Sequence, residues 1–227
     1  MRPETVTGLT LRLADEAGLR DPSMVPAVGR GTDSRSVVVI CDTHAMQEQL
    51  ERREEAFETR LAEVQAAPAD LGRVELIVRR PAPEQREVLA EADLDLERGL
   101  VGDHWAVRDR ANTPVYLDAQ LTVISTRVLA VIEPDESRWP LAGDQLYVDL
   151  DLSEANLPAG TRLAVGTSVI EISETPHTGC AKFSSRFGSD ALRWINSPIG
   201  RAHRMRGLNA RIVEPGTVRT GDAIRKV

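Results

Sequence analysis

The sequence predicts a mainly β fold, a barrel with peripheral helices, led by an N-terminal extension made of a strand and a helix. Three observations carry this. Beyond Arg73 the apolar residues fall into short runs, such as Leu121-Thr122-Val123-Ile124 and Ser168-Val169-Ile170-Glu171-Ile172. Gly and Pro punctuate those runs, which is the pattern of many short strands and tight turns. A single long amphipathic stretch, ending before Pro68, precedes them.

In chain order, residues 1–35 are rich in Pro, Gly and Asp and read as a loop-rich lead-in. Gly29-x-Gly31 comes before a strand rather than after one, so it is no dinucleotide loop. Val37 to Ile40 reads as a buried strand, and Asp42 or Thr43 can cap the helix that follows. That helix is expected from Thr43 to Ala66, with Met46, Leu50, Phe57, Leu61 and Val64 on one narrow stripe and Glu48, Glu51, Arg52, Glu54, Glu55 and Glu58 elsewhere. A stripe of this kind faces the helix's own domain, or a copy of itself in a homodimer; the first is expected. The extension therefore spans 1–71 and the barrel 72–227.

Within the barrel, Val74, Leu76 and Val78 alternate with Glu75 and Arg79. Further strands are expected at Leu121 to Ile124, Leu146 to Leu150, Leu163 to Val165, Ser168 to Ile172, Leu208 to Val213 and Ala223 to Val227. Pro215-Gly216 and Gly221-Asp222 are read as turns between the last of these. Helices are expected at Thr126 to Ile132 and Ser189 to Asn196, with Pro198 as the stop.

Composition limits the function. The chain has 227 residues and a net charge of −7, which disfavours a nucleic-acid binder, whose phosphate contacts need an extended basic face. Eight aromatic residues, three Trp, three Phe and two Tyr, are too scattered for a base-stacking platform. No secretory h-region and no long apolar run is present, so neither export nor a membrane is expected. Two distant cysteines, Cys41 and Cys180, suggest no disulfide framework and fit a reducing cytoplasm. Cys41, where a strand meets a helix, is expected to be a buried small residue.

Cys180 is different. It lies in His177-Thr178-Gly179-Cys180-Ala181-Lys182-Phe183-Ser184-Ser185-Arg186-Phe187-Gly188, read as a loop at the barrel mouth. From His177 to Arg211 the cations Lys182, Arg186, Arg193, Arg201, Arg204, Arg206 and Arg211 face one acid, Asp190. Clustered cations favour a thiolate and can hold an anion beside it. Lys182, Arg186 and Arg193 are the candidate anion ligands, since guanidinium forks match phosphate. His177 stands three residues before the thiol as a group that tunes it or binds the loop, and Asp103-His104 marks a turn that could join the site. A closed zinc site is not expected, because His177 and Cys180 supply only half of one.

Several pieces occur in one order: Gly99-Leu100-Val101-Gly102-Asp103-His104, Ala119-Gln120-Leu121-Thr122-Val123-Ile124-Ser125, Gly143-Asp144-Gln145-Leu146, Leu157-Pro158-Ala159-Gly160-Thr161-Arg162-Leu163-Ala164-Val165-Gly166, and the Cys180 loop. This series resembles the MOSC domain, the C-terminal module of molybdenum cofactor sulfurases, across about residues 72–227. It departs where many members have Pro before the Cys and this chain has Gly179, and where Asp144-Gln145 replaces a frequent Glu-Asn. The resemblance implies a MOSC-type barrel that binds molybdenum cofactor (molybdopterin) or its sulfur through Cys180, as sulfur carrier or metal ligand. The residues read above would join it there, His177 beside the thiol and Lys182, Arg186, Arg193, Asp103 and His104 toward the cofactor. Implied partners are a small anionic cofactor or substrate, with a cysteine desulfurase or a redox protein. Two activities stay open: a reductase of N-hydroxylated compounds or sulfur-transfer protein, and a non-catalytic anion-binding or interaction module whose cofactor site has decayed.

Overall fold

The computed structural model describes residues 43–107 and 114–227. Cys41 and the strand expected at Val37 to Ile40 lie outside the described residues. The elements are α1 (Thr43–Thr59), α2 (Leu61–Gln65), β1 (Leu71–Arg79), β2 (Glu87–Leu89), β3 (Glu91–Asp95), β4 (Gly99–Leu100), a 3₁₀ turn (His104–Val107), α3 (Pro114–Leu117), β5 (Leu121–Ser125) and α4 (Thr126–Ile132). A 3₁₀ segment (Glu136–Ala142), β6 (Leu146–Asp149), β7 (Arg162–Val165), β8 (Ser168–Ile172), α5 (Ala181–Phe187), α6 (Ser189–Asn196), α7 (Pro198–Ala202), β9 (Leu208–Glu214), β10 (Gly216–Arg219) and β11 (Ala223–Lys226) complete it.

The order β11-β7-β8-β9-β5-β6-β1 closes on itself because β1 also pairs with β11, Leu71 opposite Arg225. The result is a closed barrel of seven strands, with β2 attached to β1 at its rim and β10-β3-β4 forming a small separate sheet. Within this barrel β5 and β6 run parallel, Ile124 opposite Tyr147. Parallel neighbours need a crossover, supplied here by α4 and the 3₁₀ segment.

Side-chain alternation separates two cores. Leu121, Val123, Leu146, Val148, Leu163, Val165, Ile170 and Ile172 point inward and fill the barrel. Ile124 and Tyr147, from the opposite faces of β5 and β6, join Val128, Leu129, Phe183, Phe187, Trp194 and Met205 in a second core under the helices. In β1 the expected alternation is interrupted: a bulge between Val74 and Leu76 turns Val74 and Ile77 inward, while Leu76 and Val78 meet the helical layer. Gly207, at φ 97, lies so close to β5 that a Cβ would stand 2.3 Å from Val123 O. A side chain there would push β9 and β5 apart.

The expected single helix over 43–66 breaks at Arg60, whose N–H donates to Phe57 O. Its guanidinium turns to the Ala130 and Val131 carbonyls of α4. Phe57 and Val64 are buried in the helical core, with Phe57 stacked on Trp194 at 5.2 Å between ring centroids. Such a ring pair adds about 0.5–1.5 kcal/mol beyond its buried area. The stripe thus serves its own domain through these residues.

Three further readings need correction. The segment expected as a loop from His177 to Gly188 is a loop only to Cys180, after which α5 forms with Phe183 and Phe187 on its buried side. Pro198 does end α6, but it also opens α7, where a missing N–H costs nothing and the Ser197 hydroxyl accepts from Gly200 N. Pro215-Gly216 is no mere turn, since Gly216 begins β10.

Candidate functional site

Cys180 occupies the N-cap position of α5 and its side chain is exposed. The residue before it is held from behind: Asn196 of α6 accepts from Gly179 N at 3.1 Å and donates to Gly179 O at 3.4 Å. A Cβ at 179 would stand 2.6 Å from Leu192 Cδ1, so glycine is there to let the loop lie against α6 rather than to bend the chain. Partial burial pushes the thiol pKa up. The backbone N–H groups of Phe183 and Lys182, together with the charges of Arg206 and Arg186, pull it the other way and leave it below the ordinary thiol value.

The arginines around this thiol are aimed by main chain. At the end of the 3₁₀ segment, Leu141 O accepts from Arg186 Nη1 at 2.7 Å, Ala142 O from Arg206 Nη2 at 3.1 Å, and Gly143 O from Arg80 Nη1 at 2.8 Å. Three consecutive carbonyls thus seat three guanidinium groups from three parts of the chain. Carbonyls orient a cation without cancelling its charge, so the acids beside each arginine decide what remains.

Carboxylates then answer each arginine differently. Arg206 lies over the Phe183 ring at 5.1 Å and donates to Asp144 Oδ2 at 2.7 Å, both residues being buried. Arg80 makes a two-pronged pair with Asp103, which also accepts from the N–H groups of Arg80 and Trp105. Arg186 pairs with Glu84, whose other oxygen accepts from Lys182 Nζ at 2.6 Å.

Of the residues singled out from sequence, Cys180, Lys182 and Arg186 come together on α5. Arg193 is on the exposed side of α6. Asp103 is buried and committed to Arg80, and the N–H of His104 donates to Arg80 O at 2.7 Å, so both enter through Arg80. The His177 ring is largely buried, with Nδ1 3.4 Å from Asp144 Oδ1. The two atoms are not aligned to hydrogen-bond, and each is buried without a partner. Burial, then the Arg206 charge, pushes the His177 pKa down to about 4 against the pull of Asp144, so the ring is neutral at pH 7. Behind the loop a cleft of about 280 Å³ is lined by His177, Asn196, Arg201, Arg204 and Arg206. Among the described residues no three His, Cys, Asp or Glu side chains gather as a metal site.

Sequence reasoning missed Arg80, Glu84, Arg86 and Asn196. Arg79-Arg80 and Arg86 flanking Pro81 and Pro83 were the available signal, a second basic knot far from the first.

Fold and site define a closed mixed barrel that carries a solvent-facing thiol among carbonyl-held arginines. Residues 114–225 match the model of the MOSC domain, and this stretch of the chain is a MOSC domain. The matched stretch starts after Gly99 to His104 and after β1, which closes the barrel. The YuaD protein of Bacillus subtilis has a similar fold, with a TM-score of 0.50 and 19% identity over 68% of this chain and 94% of that one. YiiM of Escherichia coli aligns at 21% identity and a TM-score of 0.47, over 68% and 69% of the two chains. YiiM of Geobacillus stearothermophilus aligns at 15% and 0.48, over 69% and 75%. No curated protein matches the sequence. No helix among the described residues is long and apolar enough to cross a membrane.

Proposed function

We propose that this protein binds molybdenum cofactor or carries its sulfur, with Cys180 as the thiolate that takes the metal or the sulfur. One observation supports this above the others: the thiol is exposed, held below its ordinary pKa, and set beside guanidinium groups oriented by neutral carbonyls. Soft sulfur suits molybdenum or sulfane sulfur, and the cations suit the phosphate of a pterin. Lys182 and Arg186 would hold that phosphate, with Arg193 adding to the field and Arg80, fixed by Asp103 and the His104 segment, behind them. His177, neutral, would keep a third positive charge away from Arg206 while lining the cleft behind the loop. The cofactor, when bound, supplies oxygen-atom exchange coupled to two electrons, the chemistry that reducing an N-hydroxylated compound requires. A cysteine desulfurase or a redox protein would then be the partner, in a reducing cytoplasm.

A second reading, an anion-binding module without catalysis, is favoured by Glu84, which already engages Lys182 and Arg186. The parent, Cys180→Ser and Arg186→Ala, expressed in a host that makes the cofactor, separate the two. Molybdenum is counted by mass spectrometry and pterin by fluorescence after oxidation. Cys180→Ser should lose molybdenum or its sulfur, while Arg186→Ala should load in a salt-sensitive way, losing about 1.5–3 kcal/mol of a charge-assisted contact. Equal molybdenum and pterin in parent and Cys180→Ser rejects the thiolate ligand; no pterin in any of the three favours the module.

A further inference from the structure

We propose that Glu84 is a built-in competitor for the anion seat beside Cys180: its carboxylate holds the place of a phosphate-class anion between Lys182 and Arg186, and leaves when that anion arrives. This rests on reading the Cys180 face as an anion site, and adds how the site is kept filled and which ligand class empties it.

Glu84 reaches across from the link between β1 and β2 to α5, about a hundred residues away in sequence. Its Oε1 takes Lys182 Nζ at 2.6 Å and its Oε2 takes Arg186 Nη2. The side chain is 59% exposed, so water solvates the carboxylate once it swings out, and no core contact is broken. Its backbone is at φ 62, in the left-handed region that residues other than glycine seldom adopt. The turn that Gln85 N closes by donating to Ala82 O, with Pro83 before Glu84, sets that conformation, so the side chain can swing out while the backbone stays.

Two residues on, Arg86 identifies the ligand that would displace it. Arg86 donates to its neighbour's carbonyl, Gln85 O, and its Nε is buried with no partner. Burial lowers its pKa, and the charges of Arg186 and Arg80 lower it further, while Glu84 opposes them. Its Nη2 would be 3.4 Å, and Arg186 Nη1 3.9 Å, from a Cβ placed on Gly143, so the two guanidinium groups both lie against one glycine. With Arg80 answered by Asp103 and Arg206 by Asp144, Glu84 is the acid that answers Lys182, Arg186 and Arg86 among the described residues. A carboxylate offers two oxygens and one charge. A phosphate monoester or pyrophosphate offers three or more oxygens and about two charges or more near neutrality, which matches three cations better.

The test titrates inorganic pyrophosphate into the full chain, metal-free, followed by ³¹P line broadening. Glu84→Gln should bind pyrophosphate about three- to tenfold more tightly than the parent, the scale expected when exposed ion pairs no longer compete. Lys182→Ala in the Glu84→Gln background should remove most of that gain. Glu87→Gln, which neutralises a nearby exposed acid paired with Arg79, should leave affinity at the parent's value. Equal or weaker binding by Glu84→Gln overturns the proposal, as does an equal gain from Glu87→Gln, which would reduce the effect to net charge. No molybdenum enters this experiment, so failure to load cofactor leaves its outcome standing, and its failure leaves cofactor loading open to its own test.

Discussion

Asp144 and Glu84 are both carboxylates that answer arginines beside Cys180, and they could hardly be placed more differently. Asp144 is fully buried and holds Arg206 at 2.7 Å under the Phe183 ring. Glu84 is largely in water and grips Lys182 and Arg186 from a loop. Taking a charge out of water is expensive, so a buried pair commits both partners to each other. An exposed pair is screened and exchanges readily. One pair therefore builds the wall of the site, and the other dresses its open side.

The widest test of that contrast removes Asp144. Asp144→Ala leaves Arg206 charged and buried, and should cost about 3–5 kcal/mol in a denaturant titration. Pairing it with Arg206→Met should restore most of the loss; if the single variant melts with the parent, Asp144 is no more committed than Glu84.

A smaller effect follows from the ring beside Asp144. His177 is pushed down to about 4 in the folded protein, against about 6.5 when unfolded. Between those values the unfolded chain binds a proton that the folded chain does not, so stability is full above about pH 6.5 and falls as pH drops toward 4. The shift corresponds to roughly 3 kcal/mol over the whole window. Denaturation midpoints compared at pH 5 and pH 7 should differ less in His177→Gln than in the parent. Equal pH slopes would mean that the ring is solvated in solution.

The smallest effect is the sharpest point of the comparison. Glu84→Gln should melt at the parent's temperature by calorimetry, because its carboxylate is exposed and touches no core. A clear loss of stability would make Glu84 a structural residue like Asp144 and remove its freedom to leave.

Short apolar runs such as Leu146 to Asp149 and Ser168 to Ile172 made the barrel legible from sequence, and the limits of α4 and α6 were legible too. Gly216 hid β10, because a glycine after a proline signals a turn whether or not pairing follows. Glu91–Asp95 passed unread because its charges masked Ala92 and Leu94, which are the buried alternation of β3. The spacing of Phe183 and Phe187, one helical turn apart, could have found α5. Cys180, Lys182 and Arg186 were legible because they are near in sequence. Arg80, Glu84 and Arg86 were not, since only closure of β1 into the barrel brings their link to α5, and no residue type announces that a main-chain carbonyl will hold an arginine.

That carbonyl shelf has an evolutionary corollary. Leu141, Ala142 and Gly143 contribute acceptors that belong to the backbone, so exchanging the side chains at 141 and 142 deletes none of them. Nor can acid discharge them, as it can Glu84. The aim of Arg80, Arg186 and Arg206 is tied to the path of the β5–β6 crossover, and lineages could redecorate this rim while the guanidinium groups keep pointing the same way. What they could not accept is an insertion there, because one extra residue would shift all three at once.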